Sequence, residues 1–278
     1  MQFWESLYNF FFYSIGEAPP LYGAFHIFFF LLTVVFTFLV CKFYMKSDDK
    51  AIRKLIFILW IVLAVLEVYK QVYYSIGVTD EGFRHDYQWS MFPFQLCATP
   101  LYTMPLIAFL PNGKVRDAVI SFVATYALFG GLVVMLYPGD VFLHVLGISL
   151  HTMIHHGIQC GIGIFFALKT IIEAKKTKKR FLLEALTVFA VFIALALTVN
   201  VVGHYILVAN GNNEVFNMFY ISPFHDTTLP VLSLFNSAPY PVILLLYLLG
   251  FTAAALFVYG IELGIYTLVG KIKSRKSR

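Results

Sequence analysis

Two kinds of side chain in this sequence can do covalent chemistry, and they lie in different oily stretches. Cys97 sits between Pro93 and Pro100 in FPFQLCATPLYTMP, residues 92–105. At the start of a helix, unpaired N–H groups and the helix dipole favour a thiolate. Pro100 removes one of those donors and is expected to loosen the turn. The second stretch is HTMIHHGIQ, residues 151–159. Its spacing puts His151 and His155 one turn apart on one helix face, with His156 and Gln159 slightly around from it. A thiol beside an imidazole is the arrangement for nucleophilic acyl transfer: the ring takes the thiol proton and the thiolate attacks an ester. Cys41 and Cys160 read as small apolar filler. No pair of cysteines has a metal-like CxxC spacing, and no disulfide framework is expected.

Other polar residues gather around this pair. Each costs a few kcal/mol in a bilayer unless paired or solvated. Glu67, Lys70, Gln71 and Tyr74 fall at i, i+3, i+4 and i+7, one polar stripe in which Glu67 and Lys70 can neutralise each other. That stripe either serves a site or merely bridges two helices. Asn200 and His204 stand one turn apart, and His26 opens the first long apolar run. Gln95, Asn200 and His204 are candidate donors to an oxyanion or a polar cavity. Lys70, Glu67 and Arg84 are candidates for a lipid head group.

Three readings follow: nucleophilic acyl transfer by Cys97 with one of the nearby histidines, a small-molecule transporter without catalysis, and a metal site. The metal reading joins His151, His155 and His204, completed by Asp140 or Glu67. HxxxH without the metalloprotease Glu carries little weight, so no metal is assigned and no cofactor is expected.

The elements that must position these groups are membrane helices. The 278 residues are 60% hydrophobic and 13% charged, far too apolar for an ordinary soluble domain. The apolar runs predict an all-α polytopic membrane protein of one domain with seven spans, at about 21–45, 52–76, 93–110, 115–136, 144–168, 181–208 and 240–269. Strands are not expected. Of the 20 Lys and Arg, 18 fall in the connections near 42–54, 114–116 and 169–180 and in the tail after 270. The positive-inside rule then gives an outer N-terminus and a cytoplasmic C-terminus, and sets all eight histidines in the outer half or the outer loops. Residues 1–18 read as a possible interfacial helix, 209–239 as an outer lid or re-entrant loop, and 270–278 as a basic cytoplasmic tail. No cleavable signal peptide is read at the N-terminus. The net charge of +5 reflects topology rather than nucleic acid. Counted at roughly 1.5 Å per residue from the outer ends, Cys97 lies about 6 Å deep and His155 about 16 Å. His151 matches the sulfur's depth better, so His151 and His156 remain alternate bases.

Three stretches together resemble the YwaF family of bacterial integral membrane proteins: FPFQLCATPLYTMPLIAF, LVVMLYPGDVFLHVLGISLHTMIHHGIQ and FNMFYISPF. The most specific parts are Gln-Leu-Cys at 95–97, Tyr-Pro-Gly-Asp at 137–140 and the paired His155–His156. That family is similar to an animal membrane acyltransferase that remodels ether phospholipids through a cysteine thioester. A more distant likeness is to a membrane lipid-hydrolase group that uses threonine and histidine. The resemblance implies Cys97 as nucleophile, His155 as base, and a phospholipid or lysophospholipid taken from the outer leaflet. It also implies a multi-pass protein of the bacterial plasma membrane.

Overall fold

The computed structural model describes residues 2–139, 141–173 and 178–276. Asp140, Lys175 and Lys176, and the last two tail residues, lie outside them. Nine α-helices are described: α1 Gln2–Phe11, α2 Ala24–Tyr44, α3 Asp49–Tyr73, α4 Pro100–Phe109, α5 Lys114–Phe122, α6 Leu128–Leu136, α7 Leu146–Glu173, α8 Lys178–Ala209 and α9 Tyr240–Lys276. A π-helical turn, Val123–Ala127, joins α5 to α6 without a break. Each of the seven expected apolar segments contains an α-helix. Four are long and apolar enough to cross a membrane: Ala24–Tyr44, Lys114–Leu136, Lys179–Ala209 and Tyr240–Thr267. The molecule is thus a mostly helical, multi-pass membrane protein.

α7 is the helix the others surround. It packs against α2, α3, α6, α9 and the π turn. Two glycines let α2 approach: a Cβ on Gly157 would lie 2.5 Å from Thr33 Oγ1, and one on Gly161 would lie 2.5 Å from the Phe36 ring. Small residues four apart are how helices meet closely in lipid, where apolar burial does not drive association. The remaining surface of α2 is oily and outward: Phe28, Leu31, Val35 and Phe38 are all exposed, as lipid contact requires.

Three local features depart from the sequence reading. A two-stranded antiparallel hairpin, β1 Ile76–Thr79 and β2 Gly82–His85, follows α3. A strand pair this short carries no legible alternation, and its turn closes through Thr79 Oγ1 donating to the Gly82 carbonyl at 2.9 Å. The hairpin also receives α1, whose Trp4 meets Phe83 edge-on at 5.4 Å. Second, the third segment is not helical from 93. Phe92, restricted by the proline after it, is extended at φ −51°, ψ 133°. Helix α4 begins only at Pro100, after a 3-10 turn at Leu96–Ala98. Third, α9 continues through 270–276, where a tail was expected.

Part of the connection 209–239 is built into the core. Met218, Phe219 and Ile221 are buried and join the apolar cluster formed by Phe94, Phe122, Phe189, Phe192 and Tyr247. Phe219 and Tyr220 take left-handed backbone, φ 57° and 58°. That is a costly conformation for aromatic residues, held here by the contacts around it.

Candidate active site

Cys97 is positioned by what holds the segment before α4. Tyr102 Oη donates to the Pro93 carbonyl at 2.6 Å, closing the approach to the helix. Thr99 Oγ1 donates to the Leu96 carbonyl at 2.7 Å. Pro100 occupies the first helical position, where a missing N–H costs nothing, so it starts the helix and does not loosen it. Pro105, inside α4, cannot donate to Leu101 four residues back. Trp60 Nε1 of α3 takes that carbonyl at 3.0 Å. At the far end, Arg116 Nε donates to the Ile107 carbonyl, and Arg53 Nη1 donates to those of Ala108 and Leu110, at 2.6–2.9 Å. Ten residues with an internal proline make a poor helix alone. Here neighbouring side chains satisfy its open carbonyls.

His155 of α7 meets this segment directly. Its Nε2 lies 2.9 Å from the backbone carbonyl of Cys97. A carbonyl only accepts, so Nε2 carries the proton and Nδ1 carries the lone pair. That Nδ1 is buried and has no hydrogen-bond partner among the described residues. The expected depth gap between Cys97 and His155 is closed by the chain's path. Extended and 3-10 residues advance about 2.0–3.3 Å each, against 1.5 Å in a helix, and carry Cys97 deeper than a helix from 93 would.

His151, one turn earlier, lies with Nε2 at 3.3 Å from Glu67 Oε2. The other carboxylate oxygen of Glu67 accepts from Lys70 Nζ at 2.8 Å and from Gln71 Nε2 at 2.7 Å. Gln71 in turn accepts from Tyr87 Oη at 2.8 Å. The stripe on α3 therefore both neutralises itself and reaches across to α7. Glu67, His151 and His155 are each less than a tenth exposed. His156 faces its own helix, with Nδ1 2.6 Å from the Thr152 carbonyl.

Several sequence candidates take other places. Gln95 is tied to backbone: its amide accepts from Phe219 N at 2.7 Å and donates to the Asn217 carbonyl at 3.0 Å. Asn200 does the same to Met218, at 2.7 and 2.9 Å. Both amides hold the 217–219 backbone in the core. His204 stacks on Phe224, with ring centres 3.8 Å apart, and meets His225; it is not part of the Glu67–His151–His155 group. Lys70 is paired with Glu67, and the exposed Arg84 pairs with Asp86 at 2.9 Å. His26 is held between Tyr22 N and the Met135 carbonyl. Cys160 is buried and Cys41 partly buried, both as free thiols. The sequence reading set Glu67 beside His151 only as one of two carboxylates that could complete a metal shell, and the structure brings Glu67 to His151 and His155 without His204.

Residues 21–260 match the profile of the TMEM164 family. None of the curated proteins and none of the solved structures compared with the chain matches it. The match corrects the resemblance to the bacterial YwaF family, because TMEM164 is an animal-type family. Three short motifs carried that resemblance, whereas the profile spans nearly the whole chain. The match supports a multi-pass membrane protein and gives no support to a bacterial plasma membrane in particular. The chain belongs to the TMEM164 family.

Proposed function

We propose that this protein is a membrane-embedded lipid acyltransferase that works through a thioester on Cys97. The observation that carries the reading is the 2.9 Å contact between His155 Nε2 and the Cys97 carbonyl. It holds an imidazole against the backbone of the one cysteine at the mouth of a helix, and it fixes the tautomer so that Nδ1 is the free base. His155 Nδ1 has no hydrogen-bond partner among the described residues, so in this reading the Cys97 side chain turns to bring its thiol to that nitrogen, which takes the proton. The sulfur attacks the ester carbonyl carbon of a phospholipid, the ester C–O bond breaks, and the lysolipid alkoxide leaves with the proton from His155. An incoming hydroxyl then gives its proton to the same nitrogen and attacks the thioester, which frees the thiol. With a lysolipid as acceptor the reaction is acyl transfer; with water it is hydrolysis.

Seven spans with an outer N-terminus put Cys97 in the outer half of the bilayer, so the lipid arrives sideways from the outer leaflet. Lys70 and Arg84 remain the cations nearest to a head group in this reading. A transporter fits less well, because the polar side chains gather toward one end.

Intact-mass spectrometry after incubation with phospholipid tests the reading. The expected result is a single acyl adduct, released by neutral hydroxylamine and lost in Cys97→Ala. Full turnover by Cys97→Ala on every lipid offered sinks it.

A further inference from the structure

Glu67, His151 and His155 each place one ligand atom within 4.8 Å of the other two, and all three residues are buried. They come from two helices, so the group exists only once α3 has packed on α7. The surroundings are those that metal ligands need. A ligating histidine usually gives its second N–H to a carbonyl or carboxylate, and a ligating carboxylate is itself hydrogen-bonded. His155 donates from Nε2 to the Cys97 carbonyl, which leaves a buried Nδ1 with no partner among the described residues. Glu67 gives Oε1 to Lys70 and Gln71 and keeps Oε2 toward His151. The 3.3 Å from Glu67 Oε2 to His151 Nε2 already equals the edge of a tetrahedron with metal bonds of about 2.0 Å.

We propose that Glu67, His151 and His155 form a three-ligand site for a zinc-class dication, and that its occupation silences acyl transfer by taking His155 Nδ1. The silencing rests on the function proposed above; the binding does not. Two imidazoles and one carboxylate select zinc, cobalt or copper over magnesium and calcium, which prefer all-oxygen shells. Lys70 limits the affinity. Its ammonium lies 2.8 Å from the same carboxylate and repels a second cation. The site is therefore weaker than a structural zinc site, as reversible control requires.

The test uses the purified full chain in detergent, titrated with Co²⁺ and followed by visible absorption. The expected result is a tetrahedral band that saturates at about one ion per chain and is displaced by Zn²⁺. Glu67→Gln and His151→Asn are expected to weaken binding by roughly tenfold or more, while His204→Ala matches the wild type. Lys70→Met is expected to tighten binding, which keeps the test decisive if Glu67→Gln fails to fold. Absence of the band in the wild type overturns the site, as does wild-type binding by a folded Glu67→Gln or weaker binding by a folded Lys70→Met. In the acyl-adduct assay, Zn²⁺ is expected to stop wild-type labelling along the same binding curve. Bound metal with undiminished labelling overturns the silencing. Metal binding with no adduct from any lipid leaves the metal site standing and removes the acyl-transfer reading.

Discussion

The proposed acyl transfer turns on one nitrogen, His155 Nδ1, whose availability is set by what the opposite nitrogen does. Because Nε2 is committed to the Cys97 carbonyl, replacing the ring by an amide separates anchoring from basicity. His155→Gln keeps a donor for that carbonyl and removes the base. Adduct formation is expected to fall roughly 100-fold or more, with little change in melting temperature. Asn200 belongs to the opposite class. It is fully buried and makes two bonds to Met218. Asn200→Ala strands one N–H and one carbonyl, at a cost of about 1–3 kcal/mol each. The expected outcome is a lower melting temperature and new proteolytic nicking within 209–239. Residue types made Cys97 and the histidines legible in the sequence, since polar groups in oily runs are conspicuous. They could not say that Gln95 and Asn200 serve backbone instead of substrate. An amide reads the same in both roles, and the partners of Gln95 lie more than 120 residues away.

At the level of elements, α4 shows how a weak helix is made dependable. Its carbonyls are taken by Trp60, Arg53 and Arg116, and Asp49 ties the two arginines together at 2.6 and 2.8 Å. Burial pushes the Asp49 carboxyl up, but the hydrogen bond from Arg53 and the charge of Arg116 outweigh it and hold the group below its ordinary range. A carboxylate depressed on folding stabilises the protein above its unfolded pKa, about 3.9. That contribution disappears as the pH falls through the lower folded value. Asp49 is two-fifths exposed, so solvent screening keeps the effect small. Asp49→Asn is expected to lower stability at neutral pH by less than about 1 kcal/mol. In paired melting curves the difference from the wild type should close only below about pH 4. The pattern of apolar runs found the four helices long and apolar enough to cross a membrane, because lipid contact needs an oily surface of that length. It missed the hairpin at 76–85, the π turn and the late start of α4. Those depend on single residues, a short turn and neighbouring chains, none of which leaves a repeat.

For the whole molecule, side-chain contacts sort the connections onto two ends. Lys169 Nζ reaches the Met45 carbonyl at 3.0 Å, and Arg53 reaches Asn112 at 2.9 Å. These bonds gather the loops after α2, α4 and α7 at one end, where the sequence concentrates Lys and Arg. At the other end, Leu146 N bonds the Tyr13 carbonyl, Trp89 N bonds Glu214, and Trp4 packs on the hairpin. Glu67, Cys97 and the histidines of α7 belong with that second end. If the basic end is cytoplasmic, the site opens outward, and exposed positions at the two ends must differ in access. Ser233 and Lys46 are such positions, one between α8 and α9 and the other between α2 and α3. In sealed right-side-out vesicles, Ser233→Cys is expected to react with a membrane-impermeant maleimide beyond the labelling of the native chain. Lys46→Cys is expected to react only after permeabilisation. The reverse pattern would invert the bundle and move lipid access to the inner leaflet. Equal labelling of both in sealed vesicles would mean that the two ends share one side, which no seven-span arrangement permits.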